Sequence, residues 1–183
     1  MLKTMKKLHI IVSLGATLVV LATSLAAAQQ VSDYVLGPGD QVAISVFGEP
    51  DLSVEFTLSD SGALNYPFLG EIRVAGLTMP ELEKRIADGL RGDYLIKPDV
   101  TVSMKQYRQF YLNGEVNRPG GYPYQPGLTL EKALALAGGL SPRAARNKIL
   151  VKRASDSSSV AVSIRMSDPV RAGDVITVPQ SFF

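Results

Sequence analysis

Apolar and polar residues alternate along several short segments of this chain, and a period of two is typical of half-buried β-strands. The clearest case is the segment 41–47, in which Val42, Ile44 and Val46 are apolar. Shorter segments at 54–58, 63–66, 71–74 and 100–105 have the same character and are separated by residues that favour turns. We therefore predict a small sheet in the first half of the chain.

Between two of these strands the period changes to that of an α-helix. Leu82, Ile86 and Leu90 recur every four residues with charged residues between them, which predicts one buried face. Thr78 and Glu81 have the spacing of a capping box, in which each side chain accepts from the other residue's backbone amide. The glycines at positions 89 and 92 are expected to end this helix.

The second half of the chain repeats this plan. Thr129, followed by apolar Leu130, Ala133, Leu134 and Ala137, predicts a capped helix that stops at the glycines of positions 138 and 139. Strands are predicted at 110–116, 122–124, 148–153, 160–164 and 175–178, with a turn at 117–121. The predicted fold class is α+β, in two small domains that each combine a sheet with one helix.

The amino-terminal segment has another pattern, in which three lysines precede an apolar run that ends in small residues. These are the three parts of a secretory signal peptide, which we place at residues 1–28. Ala26 and Ala28 would fit the peptidase cleft, and cleavage is expected before Gln29. The alternative is an uncleaved membrane anchor, because the apolar run is nearly long enough to span a bilayer.

Removal of this segment changes the charge of the chain. The full sequence has 19 basic and 17 acidic residues, and loss of the three signal lysines leaves 16 against 17, a net charge of −1. A near-neutral chain has no electrostatic source for non-specific nucleic-acid binding, so no nucleic-acid partner is expected. The sequence also has no cysteine, so its stability must come from burial rather than from disulfides.

Candidate catalytic groups are few. The only histidine, His9, lies in the predicted signal, which removes histidine-based acid-base catalysis and metal ligation from the mature chain. Asp33, Asp40, Glu49 and Asp51 lie near one another in sequence and could supply the carboxylate pair of a glycosidase. Asp40 and Asp51 lie in turns, however, where aspartate commonly bonds nearby amides, and Glu49 precedes a proline. We therefore expect no enzymatic activity, no metal site and no cofactor.

Two groups of side chains are candidates for contact with a glycan or a protein. Near the first hairpin of the second domain, Tyr107 lies close in sequence to the candidate contacts Tyr111, Tyr122 and Tyr124. Aromatic faces suit sugar rings and protein interfaces, although packing within the strands explains them equally well. Arg143 and Arg146 belong to a basic stretch that could meet an acidic glycan or simply form a solvated strand edge.

The order of several motifs resembles that of the outer-membrane polysaccharide export family. We place the export domain of that family at 29–106, where the similar motifs are residues 34–42, 58–64, 66–70, 74–78 and 94–100. We place its SLBB domain, a β-grasp-like module, at 107–183, where the similar motifs are residues 112–116, 118–120, 128–130, 137–140 and 172–175. The turn residues shared with the family are Gly37, Pro38, Gly39, Asp40, Gly114, Pro119, Gly120, Gly173 and Asp174.

The resemblance implies a non-catalytic periplasmic subunit, a homo-oligomeric ring through which a bacterial capsular polysaccharide or exopolysaccharide leaves the cell. Its partners would be an inner-membrane polysaccharide co-polymerase and a separate outer-membrane protein. Known members carry a lipidated cysteine and a pore-lining carboxyl-terminal helix, whereas this sequence has no cysteine and stops at Phe183. We therefore expect no lipid anchor, and association with the outer membrane through partners. The alternative is a soluble glycan- or partner-binding periplasmic adaptor that forms no conduit.

Overall fold

The computed structural model describes residues 34–154 and 160–181. The predicted signal peptide and its cleavage residues Ala26, Ala28 and Gln29 lie outside the described residues. Within those residues the fold has ten strands, two α-helices and one short 3-10 helix. The strands form three sheets, and the α+β class predicted from the sequence is confirmed.

The first half of the chain combines a three-stranded antiparallel sheet, a hairpin and one helix. In the sheet, β1 (Gln41–Val46) lies between β2 (Val54–Thr57) and β5 (Val100–Gln106). The hairpin consists of β3 (Ala63–Tyr66) and β4 (Gly70–Arg73), and the helix is α1 (Met79–Leu90). The alternation along β1 buries every second side chain, as its sequence pattern predicts.

Helix α1 covers this sheet with its apolar face. Leu82, Ile86 and Leu90 are fully buried and join the β1 side chains in one hydrophobic core. The predicted capping box is present, because Thr78 Oγ1 accepts from the Glu81 amide and the Glu81 carboxylate accepts from the Thr78 amide at 2.7 Å. The helix therefore begins where its sequence predicts.

The predicted end of α1 is right for one glycine and wrong for the other. The helix ends at Leu90, and Gly92, with a φ of +94°, follows it as predicted. Gly89 lies inside the helix, where a side chain would meet Leu69 Cδ1 at 2.8 Å, so this glycine permits close packing of the loop. The break after β1 contains the 3-10 helix Pro50–Leu52, which buries Leu52 in the first core.

The second half of the chain forms a mixed five-stranded sheet and one helix, α2 (Leu130–Leu136). Its strands, in spatial order, are β7 (Gly120–Tyr122), β6 (Phe110–Gly114), β10 (Val175–Val178), β8 (Leu150–Lys152) and β9 (Val162–Ser163). Strand β10 runs parallel to β6 and antiparallel to β8. The residues of α2 predicted to be buried pack on this sheet in a second, separate hydrophobic core.

The return strand of the second-domain hairpin begins earlier than predicted. Gly120 and Gly121, expected in the turn, form β7, and Tyr122 is its last residue rather than its first. A side chain at position 121 would meet Gln109 Oε1 at 2.5 Å and the Tyr111 ring at 3.1 Å. Glycine therefore allows the neighbouring side chains to lie over this strand.

Candidate functional site

The first shared turn contains a fully buried carboxylate, that of Asp40. Its Oδ1 accepts hydrogen bonds from the Tyr34 hydroxyl and the Arg108 amide, both at 2.7 Å. Its Oδ2 accepts from the Gly37 amide at 2.8 Å and from Arg108 Nη1 at 2.7 Å. Asp40 thus closes its own turn and also binds a residue 68 positions away. Gly39 supplies the positive φ of +90° that this turn requires.

The second Gly-Asp step repeats this arrangement in the other domain. Asp174 is also fully buried, and its Oδ2 accepts from the Arg171 amide at 2.8 Å and from Arg153 Nη1 at 2.5 Å. Gly173 before it has a φ of +81°. In both turns, therefore, the aspartate carboxylate accepts a hydrogen bond from the backbone amide three residues earlier and forms an ion pair with an arginine. The two domains share only a short Gly-Asp step in sequence, but in the structure this step is a repeated element.

Arg108 lies between the two turns. A side chain at Gly39 would meet Arg108 Cβ at 3.3 Å, and one at Gly173 would meet Arg108 Nε at 3.0 Å. Arg108 lies two residues before Phe110, the first residue of the second core, and it binds Asp40 of the first domain. It therefore connects the two domains at this junction. This role could not be predicted from sequence, since Arg108 belongs to no shared motif.

Three tyrosines from both sides of the junction pack together. The Tyr107 ring meets Tyr34 and Tyr124 edge-on, with centroid distances of 4.8 Å and 5.4 Å. Burial raises the pKa of all three phenols, and the hydrogen bond to Asp40 raises that of Tyr34 further. Of the predicted contact tyrosines only Tyr124 belongs to this cluster, which sequence reasoning could not extend to the distant Tyr34.

A cavity of about 500 Å³ opens at this junction. Its wall combines the aromatic side chains of Tyr34 and Tyr124 with the charged side chains of Arg108, Arg171 and Asp174. The remaining lining residues are mostly small or apolar: Val35, Pro126, Gly127, Leu128, Ala154, Pro169, Val170 and Ala172. This volume and this mixture of surfaces are typical of small-molecule sites.

One polar atom on this wall has no partner among the described residues. Asp174 Oδ1 is buried and accepts no hydrogen bond, whereas Oδ2 of the same carboxylate accepts two. Buried carboxylate oxygens are normally satisfied, so an unsatisfied one at a cavity is a candidate ligand contact.

The other predicted contact residues do not line this cavity. Tyr122 packs its ring 5.9 Å from that of Phe110, and its hydroxyl donates to the Arg118 carbonyl, so it closes the hairpin turn. Tyr111 lies on β6 and is about half exposed. Arg143 and Arg146 are exposed and belong to the loop before β8.

Three other turn residues shared with the family, Gly114, Pro119 and Gly120, do not line the cavity. Gly114 has a φ of +83°, and a side chain there would lie 2.1 Å from the Val178 carbonyl oxygen of the parallel strand. Pro119 lies in the exposed hairpin turn, and Gly120, with a φ of +154°, is the first residue of β7 after it. Within the described ranges, no cluster of three or more acidic, histidine or cysteine side chains is arranged to hold a metal ion.

Comparison with known proteins identifies both halves of the chain. Residues 28–105 match the family described as polysaccharide biosynthesis/export protein, and residues 109–162 match the SLBB domain. The exopolysaccharide production protein ExoF of Rhizobium meliloti is 35% identical over 137 residues, covering 68% of this chain and 32% of ExoF. The EPS I polysaccharide export outer membrane protein EpsA of Ralstonia nicotianae is 29% identical, covering 80% of this chain and 47% of EpsA.

A third relative extends the range of named functions. The polysialic acid transport protein KpsD of Escherichia coli is 28% identical over 124 residues, covering 66% of this chain and 22% of KpsD. The chain thus spans less than half the length of these relatives. None of the helices in the described part of the chain is long and apolar enough to cross a membrane. The two successive domains show that the chain belongs to the polysaccharide export family, with an export domain followed by one SLBB domain.

Proposed function

We propose that this chain is a periplasmic subunit of a polysaccharide export complex and forms part of the wall of a conduit. The observation that carries the proposal is the joining of an export domain to an SLBB domain through a buried ion pair. The relatives are named for exopolysaccharide production, polysaccharide export and polysialic acid transport. We place the boundary between the two domains at residues 106 and 107, between the two cores.

The proposed role is non-catalytic. The carboxylate of Asp40, one of the candidate glycosidase acids, is fully buried and accepts four hydrogen bonds that hold the junction. A carboxylate in this environment cannot reach a glycosidic bond, so Asp40 cannot be one of the paired acids that such hydrolysis needs. The junction instead fixes the angle between two domains, which is what a subunit of a closed ring requires.

The first domain exposes apolar side chains that favour contact with other subunits. Phe47, Phe68 and Ile96 are 84%, 65% and 97% exposed. Phe68 also has a positive φ of 64°, rare for a bulky residue, and its ring packs on that of Tyr94 at 5.1 Å. Exposed apolar groups of this kind mark interaction surfaces. We propose that they meet neighbouring copies in the ring, and that the ring acts with an inner-membrane co-polymerase and an outer-membrane protein.

Assembly of the mature chain tests this proposal. Light scattering and negative-stain imaging of residues 29–183 should show a closed ring at high protein concentration, with or without added polysaccharide. Ile96→Ser should reduce assembly, because it removes the most exposed apolar side chain. A strict monomer under every condition would contradict the conduit and favour the second candidate, a periplasmic adaptor that binds a glycan in the junction cavity.

A further inference from the structure

We infer that the junction cavity is a binding site for a sugar residue of the polysaccharide, with Asp174 accepting a hydrogen bond from a sugar hydroxyl. The inference rests on the proposed function for the identity of the ligand. The cavity and the unsatisfied carboxylate oxygen are independent observations that both point to a ligand.

The chemistry of the wall selects a sugar over other small molecules. Sugars present apolar C–H faces and hydroxyls on the same ring, so they need an aromatic surface beside a strong acceptor. Tyr34 and Tyr124 supply the aromatic surface, with nearly parallel rings 6.4 Å apart. Asp174 supplies the acceptor, since its Oδ2 is held by Arg153 and the Arg171 amide while Oδ1 is left unpaired.

Access to this oxygen requires a local movement. Asp174 Oδ1 is covered by neighbouring atoms even though its residue lines the cavity. Arg171 lies on the same wall with an exposed side chain, which can rotate without disturbing the core. Binding would require the side chains around Oδ1 to move apart, and the Arg171 guanidinium would then lie beside the bound ring. The same guanidinium would pair with the carboxylate of an acidic sugar.

The position of the cavity gives the binding a consequence for the whole subunit. Its lining residues come from both domains and include Arg108, the residue that ties them together. A sugar bound there would therefore contact the export domain and the SLBB domain at once. Binding should stabilise the folded junction by RT ln(1 + [L]/Kd), so that stability rises with the free sugar concentration.

Nuclear magnetic resonance titration of mature protein tests the inference, with glucose as the neutral probe and glucuronate as the acidic one. We expect chemical-shift changes confined to the cavity residues for at least one probe, with an affinity of about millimolar, as for a single ring. Tyr124→Ala and Asp174→Asn should each weaken binding about tenfold, the loss of one charge-assisted hydrogen bond or one stacking surface. Tyr111→Ala, an exposed tyrosine of the same domain outside the cavity, is the matched control and should leave binding unchanged.

The possible failures are distinguishable. If neither sugar shifts the cavity resonances, or if Tyr111→Ala weakens binding as much as Tyr124→Ala, the sugar site is wrong. Export of polymer by cells that carry Asp174→Asn is a separate readout. Loss of sugar binding in vitro with loss of polymer export in these cells would support the site. If the wild-type chain binds neither sugar in vitro but cells still need the chain for export, the sugar site is overturned and the proposed function stands.

Discussion

The two buried aspartates of the Gly-Asp turns should respond very differently to the same substitution. In Asp40→Asn an amide –NH₂ replaces one carboxylate oxygen, and each of those oxygens accepts two donors in the native protein. An –NH₂ in the place of Oδ2 faces two N–H donors, and in the place of Oδ1 it faces the Arg108 amide, although the Tyr34 hydroxyl can turn to accept from it. The Arg108 guanidinium, whose side chain is only 21% exposed, also loses its counter-ion. Breaking a buried pair of this kind costs about 3–5 kcal/mol of unfolding free energy.

In Asp174→Asn the amide can avoid this conflict. Its carbonyl oxygen can take the place of Oδ2 and accept from Arg153 and the Arg171 amide, while its –NH₂ takes the place of the unpaired Oδ1. Both hydrogen bonds are kept without their charge, and Arg153, 20% exposed, loses its counter-ion as Arg108 does in Asp40→Asn. The ion-pair cost is therefore common to the two variants, and Asp40→Asn carries the extra cost of buried donors that face a donor, about 1–3 kcal/mol.

Urea denaturation of the two mature variants, followed by circular dichroism, measures the difference. We expect Asp40→Asn to be less stable than Asp174→Asn by about 2 kcal/mol, the cost of the buried donor–donor conflict, equivalent to roughly 4–8 °C in Tm for a chain of this size. Equal losses in the two variants, or a larger loss for Asp174→Asn, would refute the hydrogen-bond accounting at both turns. The shared sequence pattern alone would predict equal losses.

Further predictions concern single elements. Gly114→Ala should unfold the second domain, because its side chain would collide with the Val178 carbonyl, whereas the control Gly48→Ala, with a similar φ of +80° and open space around it, should cost only about 1–2 kcal/mol in thermal melts. Thr78→Ala should cost about 0.5–2 kcal/mol through loss of the α1 cap, and an unchanged melting temperature would show that the cap does not contribute. Burial and the bond to Asp40 raise the pKa of Tyr34 above its ordinary value of 10.0, so the unfolded chain releases this proton at a pH where the folded chain keeps it. Stability should therefore be intact below pH 10 and fall as the pH rises above it, and Tyr34→Phe should make this fall shallower in urea titrations at several alkaline pH values.

The parts of the fold that local sequence determines were predicted, and the contacts between distant residues were not. The capping box of Thr78 and Glu81 and the four-residue spacing after it specify helix α1 from adjacent positions alone. The role of Gly89 could not be predicted, because this glycine makes room for Leu69, a neighbour in space that no local pattern reveals.

The candidate site shows the same limit more strongly. The sequence predicts turns at both Gly-Asp steps, and Asp40 and Asp174 form them. Arg108, which satisfies Asp40 from 68 residues away, carries no sequence signal because ion-pair partners have no fixed spacing across domains. The cavity depends on the relative placement of two separate cores, which neither domain's hydrophobic pattern encodes.

The location of the polymer in a strain lacking this gene tests the central proposal most directly. Fractionation of the cells would separate polysaccharide at the surface from polysaccharide retained within the envelope. A subunit of the export conduit predicts that surface polymer is lost, that polymer accumulates inside the envelope, and that a plasmid copy of the gene restores export. Normal amounts of polymer at the surface of the deletion strain would contradict the proposal.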